Sequence, residues 1–424
     1  MLPLFASLLL FLLPIQWAVA LPVVGTVPLL RLLVPLVVVI WIATLLARGT
    51  VKSTPPALLV AGVVSFLSIA TLGLLLRSAP EMGGWRKLLF LGSFFPLAWV
   101  WYTLFLDPKL RLRLLTCLLI GSGLAACIGF GFFLAQFIWG VGPVFHWLTD
   151  MVLPYFLGPE RALLVAQYPS LLVNIAGVTW LRLTSFFPDP HVASFFFGIT
   201  GLLALSLFFE TKRRWFLVTA GILLLADILT FSRGGYLGLI AALAVLLWFE
   251  RQSARYFVQW GLGLTLLLLS SLVLGPVWER LISSFALGDA ASTERLVLWQ
   301  TAWETWMMHP FFGVGLGQYV EWLYPGQGGT LPYYAHNLFL DIGVELGILG
   351  LMTFLILLFG AWASVWPLVK QKQPLALGVA AGLMLYGVHS LFETALFSVH
   401  ILLLLTLLIG LAFALGAQPR SRVA

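Results

Sequence analysis

The sequence predicts an all-α, polytopic integral membrane protein of about twelve transmembrane helices, with two long outer loops that contain short interfacial helices. Three observations predict it. Of 424 residues, 61% are hydrophobic and only 9% charged, and the mean hydropathy is +1.04, a balance foreign to water-soluble globular domains. Apolar runs long enough to cross a bilayer recur along the whole chain. Basic residues recur in every second connection between those runs.

The runs fall at about 1–20, 22–48, 56–77, 86–106, 111–138, 191–210, 214–231, 234–250, 256–277, 336–367, 375–396 and 399–416. Residues 1–20 end in Ala18-Val19-Ala20, which has the look of a leader-peptide cleavage site. No basic residue precedes the apolar run, so the segment reads as an uncleaved first helix. Residues 1–424 read as one membrane domain, with no internal repeat and no low-complexity segment.

Fourteen of the 23 basic residues lie in connections on the side of the termini: Arg48, Lys52, Lys109, Arg111, Arg113, Lys212, Arg213, Arg214, Arg251, Arg255, Lys370, Lys372, Arg420 and Arg422. The positive-inside rule makes that side cytoplasmic. Eight lie on the other side: Arg77, Arg86, Lys87, Arg161, Arg182, Arg233, Arg280 and Arg295. Arg31 falls within a span. The net charge of +7 is therefore a matter of topology and gives no nucleic-acid signal, since no basic cluster sits on a soluble module. Cys117 and Cys127 share one apolar helix, read as buried small hydrophobes, and have no zinc spacing.

The cytoplasmic turns are short, so the chemistry belongs to the outer loops at 139–190 and 278–335. The first is apolar and aromatic, with Trp147, Tyr155, Phe156, Tyr168 and Trp180, and reads as amphipathic helices lying in the interface. It ends Arg182-Leu-Thr-Ser-Phe-Phe-Pro188-Asp189-Pro190-His191, where His191 starts a helix. In the second, Ser292-Thr293-Glu294-Arg295 has the form of a helix start. The glycine-rich turn His309-Pro310-Phe-Phe-Gly313-Val-Gly315-Leu-Gly317 follows.

Arg161, Arg182, Arg233 and Arg295 lie near predicted helix ends, against the charge trend. A guanidinium binds phosphate bidentately and keeps its charge, so the set suits a lipid pyrophosphate; the alternative is that each snorkels to headgroups or pairs with an acid. Arg233 also sits in the tight Ser232-Arg233-Gly234-Gly235 reversal. His336 opens the span that continues Asn337-Leu-Phe-Leu-Asp341-Ile-Gly343-Val-Glu345-Leu-Gly347-Ile-Leu-Gly350. At 100° per residue, His336, Leu340, Gly343, Gly347 and Gly350 share one face, on which glycine lets another helix approach. His336 titrates in the range of a general base, or else is a capping interfacial histidine. His146, His191, His309, His389 and His400 carry less functional weight. Asp227, Asp341, Glu345 and Glu393 lie in or beside spans, where ionisable groups are costly and turn inward. Glu393 could orient His336 or an arginine. No carboxylate or histidine pair has metal-ligand spacing, so no metal and no cofactor is expected.

His336-Asn337, nine residues, Gly347, two residues and Gly350 complete the signature of the bacterial O-antigen ligases, which the chain resembles within the wider O-antigen ligase/polymerase superfamily. Ser232-Arg233-Gly234, Arg182 ahead of Pro188-Asp189-Pro190, Glu294-Arg295, His309-Pro310 and Gly313-Val314-Gly315 extend the resemblance over most of 180–400. Where some relatives have Asp in the eleventh-span region, this chain has Glu393. The resemblance implies transfer of O-antigen polysaccharide from undecaprenyl pyrophosphate to lipid A-core, at the periplasmic face of the bacterial inner membrane. It implies His336 as general base, arginines 161, 182, 233 and 295 on the pyrophosphate, and Asn337 and Glu393 in the substrate site. Its rivals are an O-antigen polymerase and a protein O-oligosaccharyltransferase. A secondary transporter is the rival of another class, but no inverted repeat or broken midplane helix marks the sequence.

Overall fold

The computed structural model describes residues 1–15, 17–21, 25–48, 54–76, 82–167, 170–175, 177–250, 275, 279, 290–325 and 334–418. The predicted span 256–277, apart from Gly275, and residues Arg77 and Arg280 lie outside them. The described chain is mostly helical, and seven helical stretches are long and apolar enough to cross a membrane, with Met82–Phe105 counted as one. It divides into two compact units. One comprises Met1–Thr44, Asp107–Ala286 and Trp366–Val388; the other comprises Leu45–Leu106, Leu287–Val365 and His389–Ala424.

In the first unit, α1 spans only Leu2–Leu12. The predicted helix 1–20 is cut short at Leu13-Pro14, because proline cannot continue the backbone ladder. The chain then forms a hairpin, β1 (Ala18–Leu21) against β2 (Gly25–Pro28), with Ala18 opposite Pro28. α2 is Leu29–Arg48. α6 (Pro108–Trp139) starts where Asp107 Oδ1 accepts the Lys109 and Leu110 N–H groups and Pro108 needs no donor. Cys117 is half-buried on it and Cys127 exposed, so the expected burial fails for Cys127.

The first outer loop holds α7 (Val141–Trp147), a π-helical turn at Leu148–Val152, α8 (Leu153–Leu157) and α9 (Pro159–Gln167). It also holds an unforeseen second hairpin, β3 (Leu172–Ile175) with β4 (Val178–Leu181), whose turn is closed by Gly177 N–H donating to Asn174 Oδ1 at 3.1 Å. α10 (Pro190–Thr211) is capped by Asp189 through the His191 N–H and ends at Lys212 in a left-handed conformation. α11 (Arg214–Leu229) lies along it, and α12 (Arg233–Glu250) and α16 (Pro374–His389) complete this unit.

The second unit holds α3 (Ala57–Leu75), α4 (Met82–Phe94), α5 (Leu97–Phe105), α13 (Ala290–Met308), α14 (Tyr319–Leu323), most of α15 (Leu338–Lys370) and α17 (Val399–Gly416). Pro96 divides α4 from α5 within one apolar stretch. α13 is already helical at Ala290, ahead of the expected start at Ser292. α16 ends at His389, not near residue 396, and residues 390–398 connect to α17 without helix.

α15 is two helices in one. Gly347 sits at φ 66°, ψ −169°, a region only glycine enters readily. The break leaves Val344 and Glu345 carbonyls and Ile348 and Leu349 N–H groups without helical partners. The glycine-rich turn meets them: Val314 N–H donates to Val344 O (2.7 Å), Gly315 N–H to Glu345 O (3.0 Å), Ile348 N–H to Pro310 O (2.8 Å) and Leu349 N–H to Phe311 O (3.4 Å). A Cβ at Gly347 would stand 2.2 Å from the Phe311 carbonyl, and one at Gly350 would stand 2.2 Å from Leu346 Cβ. The expectation of one continuous glycine face is thus corrected: Gly347 and Gly350 serve the break. Gly343 alone admits a neighbouring helix, since its missing Cβ leaves room for the Trp306 ring of α13.

Gly347→Ala is expected to destabilise the protein. The backbone conformation alone costs about 1–3 kcal/mol, before the collision with Phe311. Gly92 on α4, whose added Cβ would touch nothing, is the control. Thermal unfolding in detergent checks this: a clear fall in Tm for Gly347→Ala with Gly92→Ala near wild type is the expected pattern, and equal Tm values would refute it.

Candidate active site

The segment ahead of α15 presents His336. Asn337 caps the helix: its Oδ1 accepts the N–H groups of Phe339 (3.1 Å) and Leu340 (3.2 Å). His336 is held just outside at φ 50°, with 44% of its side chain exposed. Glu393 comes from the non-helical stretch after α16, which is docked here by Leu338 N–H donating to Ser390 O at 2.9 Å. Glu393 therefore does not ride on the eleventh span, as the sequence suggested.

His336 Nδ1 lies 3.0 Å from Glu393 Oε1. A carboxylate only accepts at neutral pH, so in the neutral ring Nδ1 carries the proton and Nε2 keeps a lone pair. Thr394 N–H also donates to Oε1, at 3.1 Å. On the other carboxylate oxygen, Arg295 Nη2 of α13 stands 4.0 Å from Oε2, with the guanidinium partly exposed. Base, carboxylate and cation thus follow one another. The hydrogen bond to Glu393 holds the His336 pKa above the ordinary imidazole value. Burial opposes the shift, the charge of Glu393 adds to it, Arg295 opposes it and Asp341 adds again.

Beneath this group the sequence's two span carboxylates find partners. Glu345 Oε1 takes an ion pair from Lys87 Nζ of α4 at 2.6 Å, and the ammonium lies over the rings of Phe397 (4.4 Å) and Tyr334 (5.2 Å). Burial raises the Tyr334 phenol above its ordinary range. Asp341 accepts the Ala335 N–H at 2.8 Å and the Thr394 hydroxyl. Lys87 was missed as a site residue. Its signal was present: an amine at the mouth of an apolar span and an acid inside another each need a counter-charge. His309 packs edge-on against Trp322, and His389 and His400 are buried.

The other unit holds the remaining arginines. Arg182 is buried; its Nε donates to Thr230 O (2.6 Å) and its Nη1 to Ser170 O (3.2 Å), so its guanidinium staples the end of the second hairpin to the α11–α12 turn. Arg233 is half-buried at the start of α12, next to Ser232, whose Oγ caps Gly235 N–H at 3.2 Å and lies 2.8 Å from His191 Nδ1. Arg161 is exposed in the first turn of α9. Asp227 of α11 is buried and accepts the Ser194 hydroxyl of α10 at 2.5 Å. The structure brings His336, Asn337, Glu393 and Arg295 together in one unit, and Arg182 with the Ser232-Arg233 turn in the other. Among the described residues no three His, Cys, Asp or Glu side chains gather into a metal-binding group.

Apolar helices of bilayer-crossing length mark a multi-pass membrane protein, and one of its two units holds a His–Glu–Arg group. Residues 218–355 match the family model described as O-antigen ligase. The match takes in Arg233, Arg295, His336, Asn337, Gly347 and Gly350 and stops before Glu393. No curated protein sequence matches the chain.

The raised His336 pKa gives a pH expectation. A base must be neutral, and the neutral fraction grows as pH rises through the pKa, so the rising limb of the rate profile lies above the ordinary imidazole value. Glu393→Gln removes the carboxylate and moves that limb to lower pH. Transfer rates measured across pH 5–9 check the sign; a limb that stays put in Glu393→Gln, or moves up, contradicts it.

Proposed function

We propose that this protein is an O-antigen ligase, moving O-antigen polysaccharide from undecaprenyl pyrophosphate to a sugar hydroxyl of lipid A-core at the periplasmic face of the bacterial inner membrane. The observation that carries this reading is the His336–Glu393 hydrogen bond, which leaves Nε2 able to take a proton, inside a protein whose residues 218–355 match the O-antigen ligase family model. The twelve-span reading counts the seven long apolar helices, the three shorter ones at Leu2–Leu12, Arg233–Phe249 and Pro374–His389, then α11 and the stretch 256–277. Along α15 His336 precedes the N-terminus and Lys370 closes the C-terminus. The charge rule therefore assigns His336 to the outer side.

In this mechanism Nε2 of His336 accepts the proton of the acceptor hydroxyl as its oxygen attacks the anomeric carbon of the donor. The bond from that carbon to the phosphate oxygen breaks, and its electron pair leaves with undecaprenyl pyrophosphate. Glu393 stabilises the imidazolium that forms. Arg295 neutralises charge on the leaving pyrophosphate. Arg161 and Arg233 remain donor contacts on their own unit, whereas Arg182 acts through the turn it staples. Asn337 acts by capping α15 and fixing His336 at its mouth. The leaving group is good once its charge is met, so the proposed reaction needs neither metal nor cofactor.

His336→Ala is expected to lower transfer by about 10²-fold or more, with expression and membrane insertion unchanged. Complementation of a ligase-null strain reads it directly: long-chain lipopolysaccharide is restored by the wild type and not by the variant. Longer lipid-linked glycan without modified core would instead make the protein a polymerase.

Arg295→Lys keeps the charge but loses the planar fork. It should weaken donor use, and Arg295→Ala should weaken it further, while substitutions at Lys212, Arg213 and Arg214 should not. Donor titrations in matched membranes check this; equal effects at both sets would place the pyrophosphate elsewhere. EDTA should leave the purified enzyme active, and inhibition reversed by added Mg²⁺ or Mn²⁺ would defeat the metal-free mechanism.

A further inference from the structure

The proposed base and its carboxylate partner come from two different segments, and neither segment is helical where it contributes. His336 precedes α15, and Glu393 lies in the connection from α16 to α17. Some other contact must set their distance. Leu338 N–H on Ser390 O joins the segments but stands three residues from Glu393.

A closer tie runs through Asp341. This carboxylate is 3% exposed, one helical turn inside an apolar helix, where an unpartnered acid would be costly. Glu345, four residues on, is met by Lys87. Asp341 is met by no such ion pair among the described residues. Its Oδ1 accepts the backbone N–H of Ala335, the residue before the base. Its Oδ2 accepts the hydroxyl of Thr394, the residue after Glu393. Thr394 in turn places its own N–H on Glu393 Oε1, the same oxygen that meets His336 Nδ1. The bonds close a ring: Ala335, Asp341, Thr394, Glu393, His336, and back to Ala335 through one peptide bond. Rings of this kind polarise and rigidify one another's members.

We propose that Asp341 is a positioning residue, and Thr394 its relay, which together fix the His336–Glu393 pair in its working geometry. The inference rests on His336 being the general base. It goes beyond that reading by assigning the acid and the hydroxyl that hold the base to its partner. The charged groups facing His336 are Glu393 from the connection, Arg295 from α13 and Asp341 from α15 itself. Substituting Asp341 would therefore change the field as well as the geometry. Thr394 is neutral, so it separates the two.

The test is Thr394→Val in the full-length protein, with Thr394→Ser as the conservative rescue and Asp341→Asn as a second probe. Two quantities are read: donor KM and kcat of transfer, and the titration of His336 by NMR of ¹⁵N-histidine-labelled protein, assigned by difference against His336→Ala. Thr394→Val should lower kcat about tenfold to a hundredfold, as small misplacements of reacting groups do. Donor KM should stay within about twofold. The His336 midpoint should fall toward the ordinary imidazole value as the bond to Glu393 loosens, and Thr394→Ser should restore both. Asp341→Asn keeps one acceptor for Ala335 but cannot accept at both ends, so it should give a smaller change in the same direction. Unchanged kcat and unchanged titration in folded Thr394→Val would overturn the proposal. So would failure of Thr394→Val and Thr394→Ala to fold while Thr394→Ser folds normally, because the hydroxyl would then serve stability alone. If His336→Ala still transferred glycan, the base role would fall; the NMR arm would still report whether Asp341 and Thr394 set the histidine's geometry.

Discussion

A helix in a bilayer cannot leave backbone N–H and C=O groups without partners, and the break of α15 at Gly347 creates four such groups within six residues. The glycine-rich turn at 310–317 supplies the complementary groups, and much of the second unit follows from that pairing. The turn must approach backbone to backbone, which is why Gly313, Gly315 and Gly317 all have positive φ. α13 leads directly into the turn, so its end is fixed against α15, with the Trp306 ring in the space left by Gly343. Eleven residues earlier on that helix, about 16 Å at 1.5 Å per residue, stands Arg295. Its place beside Glu393 is thus set at a distance by the backbone bonds of a broken helix.

The break also explains why charge is tolerated beneath His336. Glu345 lies at the last turn before Gly347, and its carbonyl bonds to Gly315 while its side chain pairs with Lys87. A buried ion pair is weak support for stability, because desolvation offsets most of the attraction. Here the ammonium also rests on two aromatic rings, which lowers the cost of removing it from water. Those rings belong to Tyr334 and Phe397, one from each of the segments that supply the base and its carboxylate. The pair therefore acts on geometry: Lys87 gathers the segment before His336 and the segment after Glu393 around one cation.

The spans were legible because lipid imposes length and apolarity on sequence. Most predicted runs appear as helices with ends shifted by a few residues, and α17 falls at 399–416 as expected. Their interruptions were not legible. Pro14 and Pro96 stop helices inside apolar runs, and hydropathy reads through proline. The glycines of α15 were read as a packing face, because periodicity counts positions and not φ. In the site, His336 was legible from motif and titration range, and Glu393 from the cost of an acid beside a span. Their direct contact rests on a loop conformation that no pattern encodes. Arg182 was read as a phosphate ligand because it is a guanidinium ahead of a helix start; that its Nε meets the Thr230 carbonyl and its Nη1 that of Ser170 was not legible, because both contacts depend on how the hairpin and the α11–α12 turn pack.

An imidazole whose carboxylate partner raises its pKa is a stronger base but is neutral in a smaller fraction of molecules at neutral pH. Glu393 serves both sides of that exchange. Its Oε1 fixes the Nδ1 tautomer and stabilises the imidazolium, while Oε2 faces Arg295, whose charge pulls the His336 pKa back down. The extra methylene of glutamate over aspartate gives the carboxylate reach toward both. A sugar hydroxyl is a poor acid, so its proton is worth taking only as the new bond forms, and a firm base helps at that moment. In the proposed transfer the pyrophosphate would depart with its charge met by the Arg295 guanidinium, which removes the need to protonate it. A base on the attacking oxygen and a fixed cation for the leaving group are then sufficient for the proposed transfer, and both meet on a single carboxylate.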